Sequence, residues 1–320
     1  MKSIKLIKNR SDIGAGTRGS DLGIDALEIA AINNNSSYFI DHEYIEVATD
    51  NESIYNKVKA KTAKRIQFVL EQCTRVWEAV HQALEGNNFP IVLSGDHSSA
   101  LGTISGVKSK FKNQQLGVVW IDAHADLHSP YTTPSGNVHG MPLAAALGNN
   151  NLSHKTNNVS EQTAKIWEAM KNIGSISPKI KPEHLIFFGV RDTEIPEDDQ
   201  IKKLNIKNYT VAEMRFRSFE TCLKEAIEKL NDCEVIYISF DVDSLDCDLV
   251  SSGTGTPVSK GFDPDEVVKI INTFLATKKV QGLEVTEINP LLDKKGNKMA
   301  ETAFYVLNEV TNFYTKKCSS

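Results

Sequence analysis

The chain has 320 residues, 40% of them hydrophobic and 24% charged, and a formal net charge of −5. That is enough apolar material for a sizeable globular core, and so mild an acidic balance leaves no electrostatic footprint for nucleic acid or an anionic membrane. No run approaches the roughly 18 continuous apolar residues of a membrane span. The N-terminus, MKSIKLIKNR, lacks the apolar stretch of a signal peptide. Cys73, Cys222, Cys233, Cys247 and Cys318 are scattered and form no C-x-x-C, which reads as reduced thiols in a cytoplasmic protein.

Taken in chain order, residues 3–7 open with a strand. The stretch 60–85 reads as a long amphipathic helix, with Ile66, Val69, Leu70, Cys73, Val76, Trp77 and Val80 on one face. Residues 90–93 form a short apolar strand, 99–111 a helix and 116–121 a buried strand. The polar segment 148–163 is a surface loop and not a domain linker. A strand is expected at 184–190, a helix at 218–231 and a strand at 235–240. A helix over 263–277 opens on Asp263-Pro264, then come a strand at 280–285 and a last helix at 297–315. The alternation predicts an α/β fold, a mostly parallel central sheet with helices on both faces in a three-layer α/β/α arrangement. No internal repeat is visible, and residues 1–320 are expected to form a single catalytic domain.

In such a sheet, ligands bind beyond the carboxyl ends of the strands. Four expected strands run directly into ionisable residues: Ser94-Gly95-Asp96-His97, Asp122-Ala123-His124-Ala125-Asp126, Asp241-Val242-Asp243 and Thr286-Glu287. In an extended segment, residues i, i+2 and i+4 share a face, so Asp122, His124 and Asp126 are expected to converge while the alanines turn away. An isolated Asp or His at a strand end is usually solvated or capping. The pattern D-x-H-x-D together with D-x-D, each placed after a buried strand, is not explained that way.

Asp122, Asp126, Asp241 and Asp243 brought together would repel one another and demand cations. One divalent ion leaves two negative charges uncompensated, whereas two ions bring the set to neutrality. Oxygen and imidazole donors without thiolate suit Mn²⁺, with Co²⁺, Fe²⁺, Ni²⁺ or Zn²⁺ as alternatives. Water held between two such ions loses a proton near neutral pH and becomes a nucleophile, so the chemistry expected is hydrolysis. The following loop offers Ser135, Asn137 and His139, the last a candidate proton donor.

The blocks SGDHS (94–98), DAHADLHSPYTTPSGNVHGMP (122–142), GVRDTEIPE (189–197), SFDVDSLD with GTGTP (239–257) and EVTEINP (284–290) resemble the ureohydrolase (arginase/agmatinase) family. Within that family the form of the S-G-N-V-H-G loop is most similar to the arginases. The resemblance implies L-arginine as substrate, hydrolysed to L-ornithine and urea at a two-manganese centre. It implies that His97, Asp122, Asp126 and Asp241 hold one ion and that His124, Asp122, Asp241 and Asp243 hold the other. Asp126 would also orient the nucleophile, His139 would pass a proton to the leaving amine, and Glu287 would pair with the guanidinium beside Thr256. Ser135 and Asn137 would hold the α-carboxylate, and Glu194 and Glu197 the α-amino group. Three departures from the family pattern are Ser94 for a glycine, His128 for an asparagine near the carboxylate, and Glu194 for an aspartate. One extra residue also separates Asp243 from Thr256. A homo-oligomer, trimer or hexamer, is implied as well.

Agmatinase, guanidinobutyrase and formimidoylglutamase activities are rivals within the family. A one-zinc amide deacetylase and a non-catalytic arginine-binding module are rivals outside it. Gly14-Ala15-Gly16-Thr17-Arg18-Gly19 followed by Asp41 matches a dinucleotide fingerprint, but the residues before it make a poor strand end. That segment is expected at the rim of the site instead, and Cys247 is expected to be inert.

Overall fold

The computed structural model describes residues 2–318. Eight strands form one sheet: β1 Ile4–Asn9, β2 Glu43–Glu46, β3 Phe89–Ser94, β4 Leu116–Ile121, β5 Leu185–Phe188, β6 Lys207–Tyr209, β7 Val235–Asp241 and β8 Val280–Thr286. The spatial order is β2-β1-β3-β8-β7-β4-β5-β6, and every neighbouring pair is parallel. Every residue of β3, β4, β5 and β7 is buried, as a strand covered from both sides requires.

The helices are α1 Gly23–Asn33, α2 Tyr38–Asp41, α3 Ile66–Glu85, α4 Ala100–Lys110, α5 Pro142–Ala146, α6 Glu161–Lys171, α7 Ile195–Lys203, α8 Val211–Arg217, α9 Phe219–Lys229, α10 Pro264–Leu275 and α11 Lys298–Cys318. Two hydrophobic clusters flank the sheet. One joins it to α1, α8, α9, α10 and α11, the other to α3, α4, α5 and α6. The α10 start is a reciprocal cap, with Asp263 accepting from the Glu266 amide at 2.8 Å and Glu266 accepting from the Asp263 amide at 2.9 Å.

Several boundaries differ from the sequence expectation for identifiable reasons. The long helix begins at Ile66, not residue 60, because Arg65 takes a left-handed φ of 55°. Arg65 there donates to the Ile13 and Ala15 carbonyls at 2.7 and 3.2 Å. Leu70 and Trp77 on its expected apolar face are only partly buried. The strand expected at 184–190 is β5 alone, since His184 ends a short turn and Gly189 has φ +88°. The polar segment holds a short 3-10 turn, Leu152–His154, before Ser160 caps α6, accepting from the Thr163 amide at 3.1 Å. The glycine-rich segment follows β1 and is fastened to the site's floor: Gly14 N–H donates to Asp96 at 2.8 Å, and its carbonyl accepts from the His139 amide at 3.2 Å.

Candidate active site

The four central strands, β3, β8, β7 and β4, all point their carboxyl ends at one cavity of about 270 Å³. His97, Asp122, His124, Asp126, His128, Ser135, Asn137, His139, Glu194, Glu197, Asp241, Asp243, Thr256 and Glu287 all line it. Every site residue expected from the sequence therefore meets at one place.

His97 follows β3, and its Nδ1 lies 3.0, 3.2 and 3.1 Å from carboxylate oxygens of Asp122, Asp126 and Asp241. Three acids around one nitrogen cannot all be served by its single proton. Buried Nδ1 and Asp122 Oδ2 in fact make no well-formed hydrogen bond. These donor atoms crowd around one point, the arrangement a cation requires. Beside this group, His124 Nδ1 lies 2.9 Å from Asp243 and 3.6 Å from Asp122. Two overlapping donor sets, His97/Asp122/Asp126 and Asp122/His124/Asp243, share Asp122. The residues present thus fit a pair of divalent ions.

The electrostatics of the cluster call for positive charge. Burial and neighbouring carboxylates push Asp241 and Asp243 above the usual carboxylate range, and Asp126 up to about 6. Burial opposes charge on His97 and His124, but the surrounding carboxylates overcome it and hold both well above the ordinary histidine value. Asp122, against the pull of burial, is held low by the two imidazoles. Divalent cations would replace those protons.

Backbone geometry sets these side chains in place. The segment after β4 is not a simple extended continuation: Asp126 adopts φ 52°, and that left-handed turn brings its carboxylate back to His97. Ala123 and Ala125 are fully buried on the far side. Glu287 after β8 also has a positive φ, 66°. Left-handed backbone at a non-glycine residue costs energy and persists where the surroundings fix it. The Asp243 loop is pinned by Arg191, whose guanidinium donates to the carbonyls of Gly189, Asp243, Val258 and Ser259 at 2.9–3.0 Å. Thr256 donates to Asp243 at 3.0 Å, so the extra residue in that loop leaves Thr256 at the cavity.

Glu287 Oε1 accepts from the His97 amide and faces His139 Nδ1, each at 2.9 Å. Its Oε2 is buried with no hydrogen-bond partner among the described residues. Burial disfavours charge on both groups, but their pairing prevails: Glu287 falls below its ordinary value and His139 rises to about 9. At the outer end, His128 Nε2 lies 2.8 Å from Glu194 and 3.5 Å from Glu197. The hydrogen bond from His128 draws Glu194 down to about 2, while burial lifts Glu197 to about 8. Glu197 also accepts from the Leu127 and Glu194 amides at 3.0 and 3.2 Å, so it braces the start of α7. Asn137 accepts from Lys64 at 2.9 Å.

Some contributors were not singled out from the sequence. Asp192 lines the cavity 3.5 Å from His124 Nε2. Asp96 is buried beneath Glu287 and His139 and anchors Gly14 and Ser98. Ser239, inside β7, meets His97 Nε2 at 2.7 Å. The SGDHS, GVRDTEIPE and SFDVD blocks contain them, but a single acid or hydroxyl in such a block carries no periodic signal.

The Arginase family model matches residues 3–312. The chain is similar to the arginase of Bacillus subtilis (strain 168), 33% identical over 305 residues that cover 94% of this chain and 95% of the relative. It is likewise 33% identical to the arginase of Bacillus caldovelox over 316 residues, covering 97% and 98%. The solved structure of the Bacillus caldovelox arginase at pH 5.6 superposes with a TM-score of 0.83 at 32% identity, covering 97% of this chain and 98% of that one.

Proposed function

From the premise that this chain belongs to the arginase family, a family of ureohydrolases, we propose that it hydrolyses the guanidinium group of L-arginine to L-ornithine and urea at a centre of two Mn²⁺ ions. The carrying observation is the crowding of Asp122, Asp126 and Asp241 oxygens within 3.0–3.2 Å of His97 Nδ1, with a second donor set built on His124 beside it. His97, Asp122, Asp126 and Asp241 hold one ion in this reading, and His124, Asp122, Asp241 and Asp243 the other. When bound, the ions supply Lewis acidity and acidify the attacking water.

The chain's own groups do the rest. Asp126 accepts a hydrogen bond from that water and aims it. Glu287 offers its unpartnered Oε2 to the planar guanidinium, a charge-assisted contact, with Thr256 at the same end. His139, protonated at neutral pH, faces the cavity and gives its proton to the departing amine. The amino-acid end of the substrate meets Ser135 and Asn137 with its carboxylate. The acidic pair Glu194 and Glu197, bridged by His128, takes the α-ammonium.

The whole chain, 1–320, forms one catalytic domain in this reading, supported by the single sheet that all eight strands share. A homo-oligomer, trimer or hexamer, rests on the family resemblance. A cytoplasmic location fits the free Cys73, Cys222, Cys233 and Cys247. Metal analysis of the purified protein, with urea release measured from L-arginine, agmatine and guanidinobutyrate, tests the reading. Two ions per chain and preference for L-arginine are expected. Release from agmatine alone, or no metal uptake, would overturn it.

A further inference from the structure

Lys64 stands just ahead of α3 and does not line the cavity, and the proposed chemistry gives it no part. Its Nζ nevertheless donates to Asn137 Oδ1 at 2.9 Å, and its backbone N–H donates to the Gly136 carbonyl at 2.7 Å. The next residue, Arg65, holds the Ile13 and Ala15 carbonyls. Lys64 and Arg65 thus clasp two loops together, the glycine-rich one after β1 and the one that carries Ser135 and Asn137. The fit between those loops is close: a Cβ on Gly16 would collide with Asn137 Nδ2.

Donor and acceptor chemistry gives the contact a direction. An ammonium donates and has no lone pair, so the Asn137 atom that meets Lys64 must be the carbonyl oxygen. The Nδ2 end of the amide is then turned away from Lys64, and no acceptor among the described residues takes its hydrogens. Asn137 lines the cavity, so that donor is available to an acceptor there. Ser135 is set in the same sense. Its Oγ accepts from the Asn137 amide at 3.1 Å and keeps its own proton to give.

Charge points the same way. Among the described residues, no lysine or arginine lines the cavity. Two divalent ions would offset Asp122, Asp126, Asp241 and Asp243, and would still leave Asp192, Glu194 and Glu287 in its wall. A carboxylate entering such a cavity needs positive charge at its own end, and a serine and an asparagine carry none. The Lys64 ammonium, one side chain behind them, does. It polarises the amide that it holds, and hydrogen bonds strengthened by a charged group are the stronger kind.

We infer that Lys64 is a positioning residue that sets specificity for the α-carboxylate: by holding Asn137 Oδ1 it turns Nδ2 toward the substrate and lends that end of the cavity its positive charge. The inference rests on the arginine reading above.

The test uses the Mn²⁺-loaded full chain and compares L-arginine with agmatine, which keeps the nitrogen groups at both ends and lacks the carboxylate. Agmatine is measured as a competitor of L-arginine hydrolysis, so it needs no turnover of its own. In Lys64→Met, KM for L-arginine should rise about tenfold or more, with a far smaller change in kcat, while the agmatine inhibition constant should move by less than about threefold. The backbone bond to Gly136 survives this substitution, so the readout belongs to the side chain. An unchanged KM overturns the inference. An equal rise in the agmatine constant, or a loss that falls on kcat instead of KM, overturns it too, because either marks a general disturbance of the site. Should Lys64→Met fail to fold, Lys64→Gln removes the charge with less change of polarity and faces the same criteria. Wild-type protein that releases no urea from L-arginine defeats the arginine reading and this inference with it, a result distinct from a variant that behaves as the wild type does.

Discussion

His139 Nδ1 stands 2.9 Å from Glu287 Oε1, and the same oxygen receives the His97 backbone amide. One carboxylate thus ties a proton-donor candidate to the loop carrying a metal-ligand candidate. It leaves a single oxygen, Oε2, for a cationic substrate.

The pairing has a kinetic consequence. His139→Asn is expected to lower kcat by roughly 10²–10⁴-fold, the usual worth of a positioned acid or base, with metal content unchanged. Steady-state urea release together with metal analysis checks both halves.

The same pairing fixes the alkaline side of the pH profile. Glu287 and its acidic neighbours raise His139 to about 9, so the imidazole is protonated below that value and loses its proton above it. Activity should climb from about pH 6 as the attacking water becomes easier to deprotonate. It should then fall as pH passes about 9, and His139→Asn should lack the fall. A kcat profile from acid to alkaline pH decides this, and a flat one would count against the proposed nucleophile.

Asp241 offers one oxygen to the His97 cluster at 3.1 Å and the other to the Asp243 amide at 2.8 Å. Asp241→Ala should therefore strip metal and not merely slow turnover. Dialysed variant protein should retain well under the wild-type metal content by elemental analysis, and excess Mn²⁺ should restore little activity.

His128 sits between Glu194 and Glu197 at the outer end of the cavity. Removing a hydrogen-bonding group that meets a charged partner typically costs about 1.5–3 kcal/mol. His128→Ala should therefore raise KM for L-arginine about tenfold or more, with a much smaller effect on guanidinobutyrate, which lacks the α-ammonium that the glutamates hold. The ratio of the two kcat/KM values is the measurement; equal losses would place His128 outside the amino-acid end.

Gly136 has φ +75°, and a Cβ there would collide with the Lys61 carbonyl oxygen. Gly136→Ala should cost about 1–3 kcal/mol in urea unfolding, from strain and the clash together. It should also weaken L-arginine binding, because Ser135 and Asn137 flank the displaced backbone.

How far the sequence led depends on what each segment buries. Strands such as LGVVWI and LIFF are covered on both faces, so their apolar runs announce them. The edge strands EYIE and KNY are short and largely polar, and nothing in their composition separates them from loops. The helix GIDALEIAAIN is apolar on too many sides to show a clean stripe, while IPEDDQIKK shows almost none. At the site, the alternating acids and histidines were legible because no structural role explains them. The left-handed turns at Asp126 and Glu287 were not, because neither is a residue type that forecasts positive φ as glycine does. Ser239 was hidden for another reason: it lies inside β7 and reads as an ordinary interruption of an apolar run.

The flat contact between His97 and Trp120 gives the protein a built-in optical gauge. A charged imidazole quenches a stacked indole more strongly than a neutral one. Metal-free protein, whose His97 is held protonated by three acids, should fluoresce more dimly than the loaded form. Ion uptake could then be followed in real time without label or substrate, and Trp120→Phe should silence the signal while Trp77 and Trp167 remain.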